Sequence, residues 1–389
     1  MRFTSALCAL ACAVAPALAS AELAIPIHLI RQQVEQPPTL SNLDRIPEDN
    51  GLRGAELAII DNTTTGRFLG QTYSLTVHDV PVGGDLLAEA RAALAESHLI
   101  VLDAPMSDIL AITDLPEAEG ALFINGTNEA PELRDSQCRR NLLHTAPSML
   151  MRTDALMQFL LQKRWSRLAL VAGTNERDQS FAVALTRSAR KFGMKIAASK
   201  VWDFNADMRR NASAEVPLFT QEFGDYDVLL VADEIGDFGR YVMYNTWLPR
   251  PLAGSEGIKP VTWAPVVEQW GAAQLQFRFH ELAGRDMRPE DYGTWAAVRS
   301  IGEAVTRTSS DDPETLRSFM LSDHFELAGF KGAPMTFRDW NGQMRQPIAL
   351  VHPNAVVAQA PLEGFLHQRT ELDTLGLDTP ESQCTAFKE

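Results

Sequence analysis

The stretch ALFINGTNEAPELRDSQCRRNLLHTAPSMLMRTDALMQFL, residues 121–160, decides how the chain is organised. It opens on an apolar strand pattern (121–124), passes through a polar loop at that strand's carboxyl end and carries a cysteine. A second short strand pattern (142–145) and a Pro147-Ser148 helix start follow at once. In an open α/β sheet, ligands collect outside the carboxyl ends of the strands, and a chain leaving one sheet to begin another passes beside that crevice. Residues 121–160 therefore read as a binding edge running into a domain crossover.

Upstream, strand patterns at 23–30, 72–80 and 99–102 alternate with helical ones at 52–59 and 85–95, where Leu86, Ala90 and Leu94 share a face and Asp49 is placed to cap the earlier helix. Such alternation implies a mostly parallel sheet covered by helices on both faces. Downstream the pattern restarts: strands at 168–172, 195–202 and 227–232, a helical stripe of Phe181, Ala184, Leu185, Ser188 and Phe192, and a helix around 217–223. From Pro265 helices dominate, then segments 335–338 and 346–351 flank Asn341-Gly342, a hairpin signal. The tail, 361–389, is polar and without a clear period. A long loop punctuated by Pro37-Pro38 and Pro47 precedes the first helix, and loops of that length are usually functional or peripheral.

With 389 residues the chain exceeds one ordinary core, and two domains are expected. Residues 1–20 read as a secretory signal: Arg2, an apolar run from Phe3 to Leu18, and an Ala17-Leu18-Ala19 cleavage pattern. The expected location is the periplasm. Of four cysteines, Cys8 and Cys12 fall within that signal, leaving Cys138 and Cys384 as one pair in an oxidising compartment, which invites a disulfide, with two free thiols as the alternative. A formal net charge of −15 argues against nucleic acid or an anionic membrane as partner, since both require basic patches.

Catalytic signatures are missing: no nucleophile elbow, no phosphate-cradling glycine loop, no dinucleotide fingerprint, and eight histidines without paired helical spacing. No metal, cofactor or enzymatic activity is expected. His144, in an apolar strand, reads as a core or hinge residue. The candidate ligand-binding residues are those at strand carboxyl ends: Asp103, then Asn125, Thr127, Asn128 and Glu129, then Thr174 and Glu176, Phe204, and Asp233 with Glu234. Turn and cap chemistry explains any one of them; as a set they read as the lining of a cleft. Asp233, Glu234 and Asp237 could hold a cation or an ammonium group, or form a capped strand-to-helix turn. The run YVMYNTW (241–247) offers aromatic surface.

Several strings resemble the type I periplasmic solute-binding proteins, the group of the leucine/isoleucine/valine-binding protein: Gly54-Ala55 with Leu57-Ala58-Ile59, Ala130-Pro131-Glu132-Leu133, and Thr145-Ala146-Pro147-Ser148. More narrowly, VEQPPTLSNLD (34–44), YNTWLPRP (244–251), EQWGAAQLQ (268–276) and FLHQRTELDTLG (365–376) resemble substrate-binding proteins associated with PQQ-dependent alcohol dehydrogenase systems. The resemblance implies an α/β, two-lobed Venus-flytrap fold, each lobe a mostly parallel sheet flanked by helices. One lobe would comprise 21–145 plus 271–328, the other 146–270 plus 329–360, with 361–389 returning to the first. It also implies an exported solute-binding protein with an ABC-transporter permease and, through the subfamily, a PQQ-dependent dehydrogenase system as partners. The alternative is a periplasmic accessory protein that keeps the fold without transport. Glu256, in Gly254-Ser255-Glu256-Gly257, matches a second-lobe glutamate that receives a ligand ammonium in the group. The first-lobe loops depart from it: Asp103-Ala104-Pro105 and Thr127-Asn128-Glu129 stand where amino-acid binders carry Ser or Thr, which argues against an aliphatic amino acid as ligand.

Overall fold

The structure is a computed structural model that describes residues 22–36, 45–203 and 208–388. The expected signal segment, residues 37–44 of the proline-rich loop, and Phe204 with Asn205 lie outside the described residues.

The first half builds one parallel sheet from β1 (Leu23–Gln32), β2 (Gln71–Val80), β3 (Leu99–Asp103), β4 (Leu122–Asn125) and β5 (Leu142–His144), in the order β2-β1-β3-β4-β5. Its central strands are apolar on both faces because both are covered. Helices α1 (Leu52–Leu69), α2 (Leu86–Glu96) and α3 (Met106–Thr113) separate the strands. Side chains of α2 and α3 pack on one face, with Ile100, Leu102 and Phe123. On the other, α1 meets Val101, Leu122 and Ile124 together with the later helices.

The second sheet is also parallel and runs β7-β6-β8-β9. Its elements are α4 (Met149–Gln162), β6 (Arg167–Ala172), α5 (Glu176–Lys191), β7 (Lys195–Val201), α6 (Met208–Gln221), β8 (Val228–Ala232), α7 (Gly239–Val242) and β9 (Leu252–Gly254). Helices α4 and α5 cover one face, and α6 with α7 the other. A short strand, β10 (Lys259–Val261), leads into α8 (Ala272–Ala283), α9 (Pro289–Thr308) and α10 (Pro313–Met320), whose apolar sides join the first core.

Two sequence expectations change here. Asp49 does not cap α1: Gly51 occupies that position at φ 81°, and Asp49 instead accepts from Arg53 and Arg285, each at 2.9 Å. The Asn341-Gly342 hairpin is smaller than expected, pairing only β11 (Thr336–Phe337) with β12 (Met344–Arg345). Residues beyond it form β13 (Ile348–His352), which lies between β10 and β14 (Ala355–Ala360). The reason is the two-faced burial of β13: Ala349 and Val351 join the first core, Ile348 and Leu350 the second. A strand's alternation of faces thus joins two cores.

The polar-looking tail is anchored by apolar residues: Leu372, Leu375, Leu377 and Cys384 are buried. The buried Arg338 donates to the carbonyls of Leu372, Leu375 and Leu377 and, through Nε at 2.9 Å, to Asp373, which also accepts from Arg345. The Gly376 amide donates to Asp154 of α4 at 2.8 Å. Eight residues later Cys384 is bonded to Cys138, beside the first sheet, with Cα atoms 5.7 Å apart. The tail is therefore a further crossing between the lobes, and a covalent one. Among the described residues no helix is long and apolar enough to cross a membrane.

The bond closes a loop of 246 residues, for which chain entropy sets a stabilisation of about 5 kcal/mol as an upper bound. We expect the double variant Cys138→Ser/Cys384→Ser to unfold at lower urea concentration than the oxidised protein by up to that amount, and added reductant to shift the parent but not the variant.

Candidate functional site

The loops after β4 and β8 bring carboxylates toward one arginine. Ser148 caps α4 by accepting from the Met151 amide, which fixes the first turn of the helix. Arg152, the single cation of that apolar helix, follows it directly. Its guanidinium lies over the Phe181 ring, 4.9 Å from the centroid, and its Nε donates to the Pro260 carbonyl at 3.0 Å. Both Nη atoms donate to Glu234, at 2.8 and 3.2 Å, and Nη1 also donates to Glu129 at 2.5 Å. Ser255, just past β9, donates its hydroxyl to Glu234 at 2.8 Å. Glu129 follows the first sheet, while Arg152, Glu234 and Ser255 surround the second, so the ion pair closes across the gap between the sheets' carboxyl ends.

Burial works against the Glu234 carboxylate, yet the charge of Arg152 and its two hydrogen bonds hold the group below the usual carboxylate range. Glu129 goes the other way: burial, seconded by Glu234, outweighs Arg152 and pushes it up. The two halves are unequal because Arg152 grips Glu234 twice and Glu129 once. Exposed Arg177, at the start of α5, adds positive potential to both carboxylates.

The other sequence-derived candidates divide. Asp103 and Thr127 meet in a first-lobe cluster, Thr127 Oγ1 donating to Asp103 at 2.8 Å with the Arg31 guanidinium alongside. Burial pushes Asp103 upward against both partners. Asn125 is completely buried and saturated: its amide donates to the Asn128 carbonyl and meets His144 Nδ1, and its oxygen accepts the amides of Thr127 and Asn128. Asn128 in turn donates to the Ala104 carbonyl and accepts the Ala130 amide. Both asparagines shape the loop and present its backbone, as turn chemistry anticipates. Thr174 and Glu176 are exposed at the rim of α5. Glu256 pairs with Lys259 at 3.1 Å and packs toward Gly239, apart from Arg152.

Asp233 resolves the carboxylate cluster in favour of a capped turn, accepting the amides of Asp237, Phe238 and Gly239 at 2.7, 2.9 and 2.6 Å. Among the described residues no group of three or more His, Cys, Asp or Glu side chains is placed to hold a metal ion. In the aromatic run, Tyr244 and Trp247 are exposed. His144 is fully buried, and burial together with the Arg134 charge holds its pKa well below the usual histidine value, so it is neutral in the core between the lobes.

Sequence reading missed Arg152, Ser255 and Asp178. Arg152 carried a signal, the lone cation of a mostly apolar helix, one turn past its cap. Asp178, buried in α5, accepts the Glu234 amide at 2.6 Å and so positions that loop. Burial, with the Asp233 carboxylate adding to it, pushes Asp178 up to about 6.

Removing Arg152 leaves two partly buried carboxylates facing each other, and breaking a buried pair costs about 3–5 kcal/mol, which is an upper bound here. Arg152→Met is expected to lose up to that much in urea unfolding; Glu129→Gln, which leaves the Arg152–Glu234 pair intact, is expected to lose less while loosening the lobe contact seen by small-angle scattering. For Asp178 the folded value lies above the unfolded 3.8, so its contribution to stability is present below 3.8 and is lost as pH rises through about 6. Asp178→Asn keeps an acceptor for the Glu234 amide, and in unfolding titrations from about pH 4 to about pH 7 the difference in stability is expected to move in the variant's favour.

No family model and no curated protein sequence matches the chain. Solved structures do. A branched-chain amino acid ABC transporter periplasmic ligand-binding protein from Burkholderia xenovorans superposes with TM-score 0.73 at 15% identity, over 94% of this chain and 100% of that one. A periplasmic binding protein from Burkholderia mallei gives 0.66 at 14% identity over 94% and 99%, and an ABC transporter substrate-binding protein from Sphaerobacter thermophilus 0.67 at 17% over 87% and 98%. At these identities the likeness is one of fold: the chain has the two-lobed α/β architecture of the type I periplasmic binding proteins.

Proposed function

We propose that the chain is an exported solute-binding protein that closes its lobes on a small ligand and works with an ABC-transporter permease. The observation that supports it is the convergence of Glu129, Arg152 and Glu234 from both lobes between the carboxyl ends of two parallel sheets, the position where open α/β sheets take ligands. The lobes would be 21–145 with 271–328, and 146–270 with 329–360. Asp103 and Thr127 would line the first-lobe wall, Thr174 and Glu176 the rim, and Glu256 the outer part of the second-lobe wall. Ligand contacts from both lobes would shift the hinge equilibrium toward the closed form. The narrower sequence resemblance supports a ligand, and a place in the periplasm, tied to PQQ-dependent alcohol oxidation.

One observation favours a second reading, an accessory protein that keeps the fold without transport. The cleft's charged groups already satisfy one another, since Arg152 spends its donors on Glu129, Glu234 and Pro260.

A thermal-shift and calorimetric screen of amines, amino acids, alcohols, aldehydes and carboxylic acids separates the two. A ligand at a hundred times its dissociation constant adds about 2.7 kcal/mol to stability. For a solute-binding protein at least one class is expected to raise Tm, with the shift lost in Glu129→Gln and Glu234→Gln. A screen without any shift, together with co-purification with a quinoprotein dehydrogenase, would establish the accessory reading instead.

A further inference from the structure

Away from the cleft, the outer side of the second lobe carries an open groove. Strand β7 is the edge of its sheet, and its Ser199 and Val201 stay exposed beside α5. Leu170 and Ala172 of β6 and Val201 of β7 form an apolar floor, and Val183 of α5 forms a wall. Val201 and Val183 are 53% and 68% exposed. The groove has a volume of about 460 Å³, within the range of small-ligand sites.

Arg187 and Arg190, three residues apart on one face of α5, stand at one side of this groove and also border a second cavity of about 260 Å³ under the tail. In that cavity Lys191 is neutralised by Asp154 at 3.0 Å and Glu381 at 3.2 Å and also donates to the Gly376 carbonyl. Arg187 and Arg190 have no such partner: both are exposed, and neither has an ion-pair or hydrogen-bond partner among the described residues. On a chain of net charge −15, two neighbouring guanidinium groups left uncompensated beside an apolar trough form a local exception. A guanidinium matches a carboxylate with two parallel donors, and an apolar floor retains an alkyl or aryl chain.

We propose that this groove is a second binding site, for an amphipathic monocarboxylate whose headgroup meets Arg187 and Arg190 and whose apolar chain lies over Leu170, Ala172 and Val201. It is separate from the cleft and does not depend on the function proposed there. A free acid fits better than a partner helix because both cations lie at one side of a short groove rather than along its length.

The test is calorimetric titration of the full chain with octanoate, with octyltrimethylammonium (the same chain, opposite charge) and with acetate (headgroup alone). Saturable binding of octanoate only is expected. Arg187→Gln/Arg190→Gln should weaken it roughly tenfold or more, the loss of two charge-assisted contacts. Val183→Glu should weaken it by a similar factor, and Glu129→Gln should leave it unchanged. All three altered groove positions are exposed, so these variants fold. Absence of saturation at millimolar octanoate, equal binding of the cationic amphiphile, indifference to the arginine substitutions, or loss in Glu129→Gln would each overturn the proposal.

Discussion

Arg152 is held between two carboxylates that come from opposite sheets, and that contact ties the carboxyl ends of the two sheets together. Stripping water from one guanidinium and two carboxylates costs several kcal/mol per ion, so the cluster forms only where geometry returns the cost. Here it does: Glu234 is met by two guanidinium bonds and the Ser255 hydroxyl, and its own amide is fixed by Asp178. Glu129 has only a single Arg152 contact, from the other lobe. That asymmetry makes the Glu129 side the natural place for the cleft to part, and the place where a ligand could compete.

Two other features restrict how far the lobes separate. Strand β13 serves both cores with alternate residues, and the tail runs from Asp154 of α4 to Cys138 beside the first sheet. The tail is ordered less by its own propensity than by Arg338, which collects three of its carbonyls and Asp373 into one buried knot. Asn125, His144 and Thr145 lie buried where the chain leaves the first sheet.

Much of the fold was legible because parallel sheets impose a strong pattern. Runs such as LIVLD and VLLVA have no polar face and must be covered on both sides, and the intervening helical stripes supply the cover. The site was less legible. Glu129 and Glu234 stood out as polar residues at strand ends, but so did Asn125, Asn128 and Asp233, whose polar atoms turn inward to build loops and a cap. Composition does not separate a residue that shapes a loop from one that the loop presents.

The sequence alone determined the doubled α/β alternation and the crossover near Thr145-Ala146, since hydrophobic period is a local property of the chain; it left Cys138 and Cys384 as one possible pair, and the tertiary structure decided that they are bonded. Only the tertiary structure decided that the tail's leucines are buried, that β13 leaves its hairpin to join two cores, and that Arg152 bridges the lobes. Each of these depends on which distant segments become neighbours in space or on a choice between alternative partners. Residues 121–160 hold both kinds of information: their strand and crossover are written in the pattern, while the pairing of Glu129 with Arg152 exists only once the two sheets face each other.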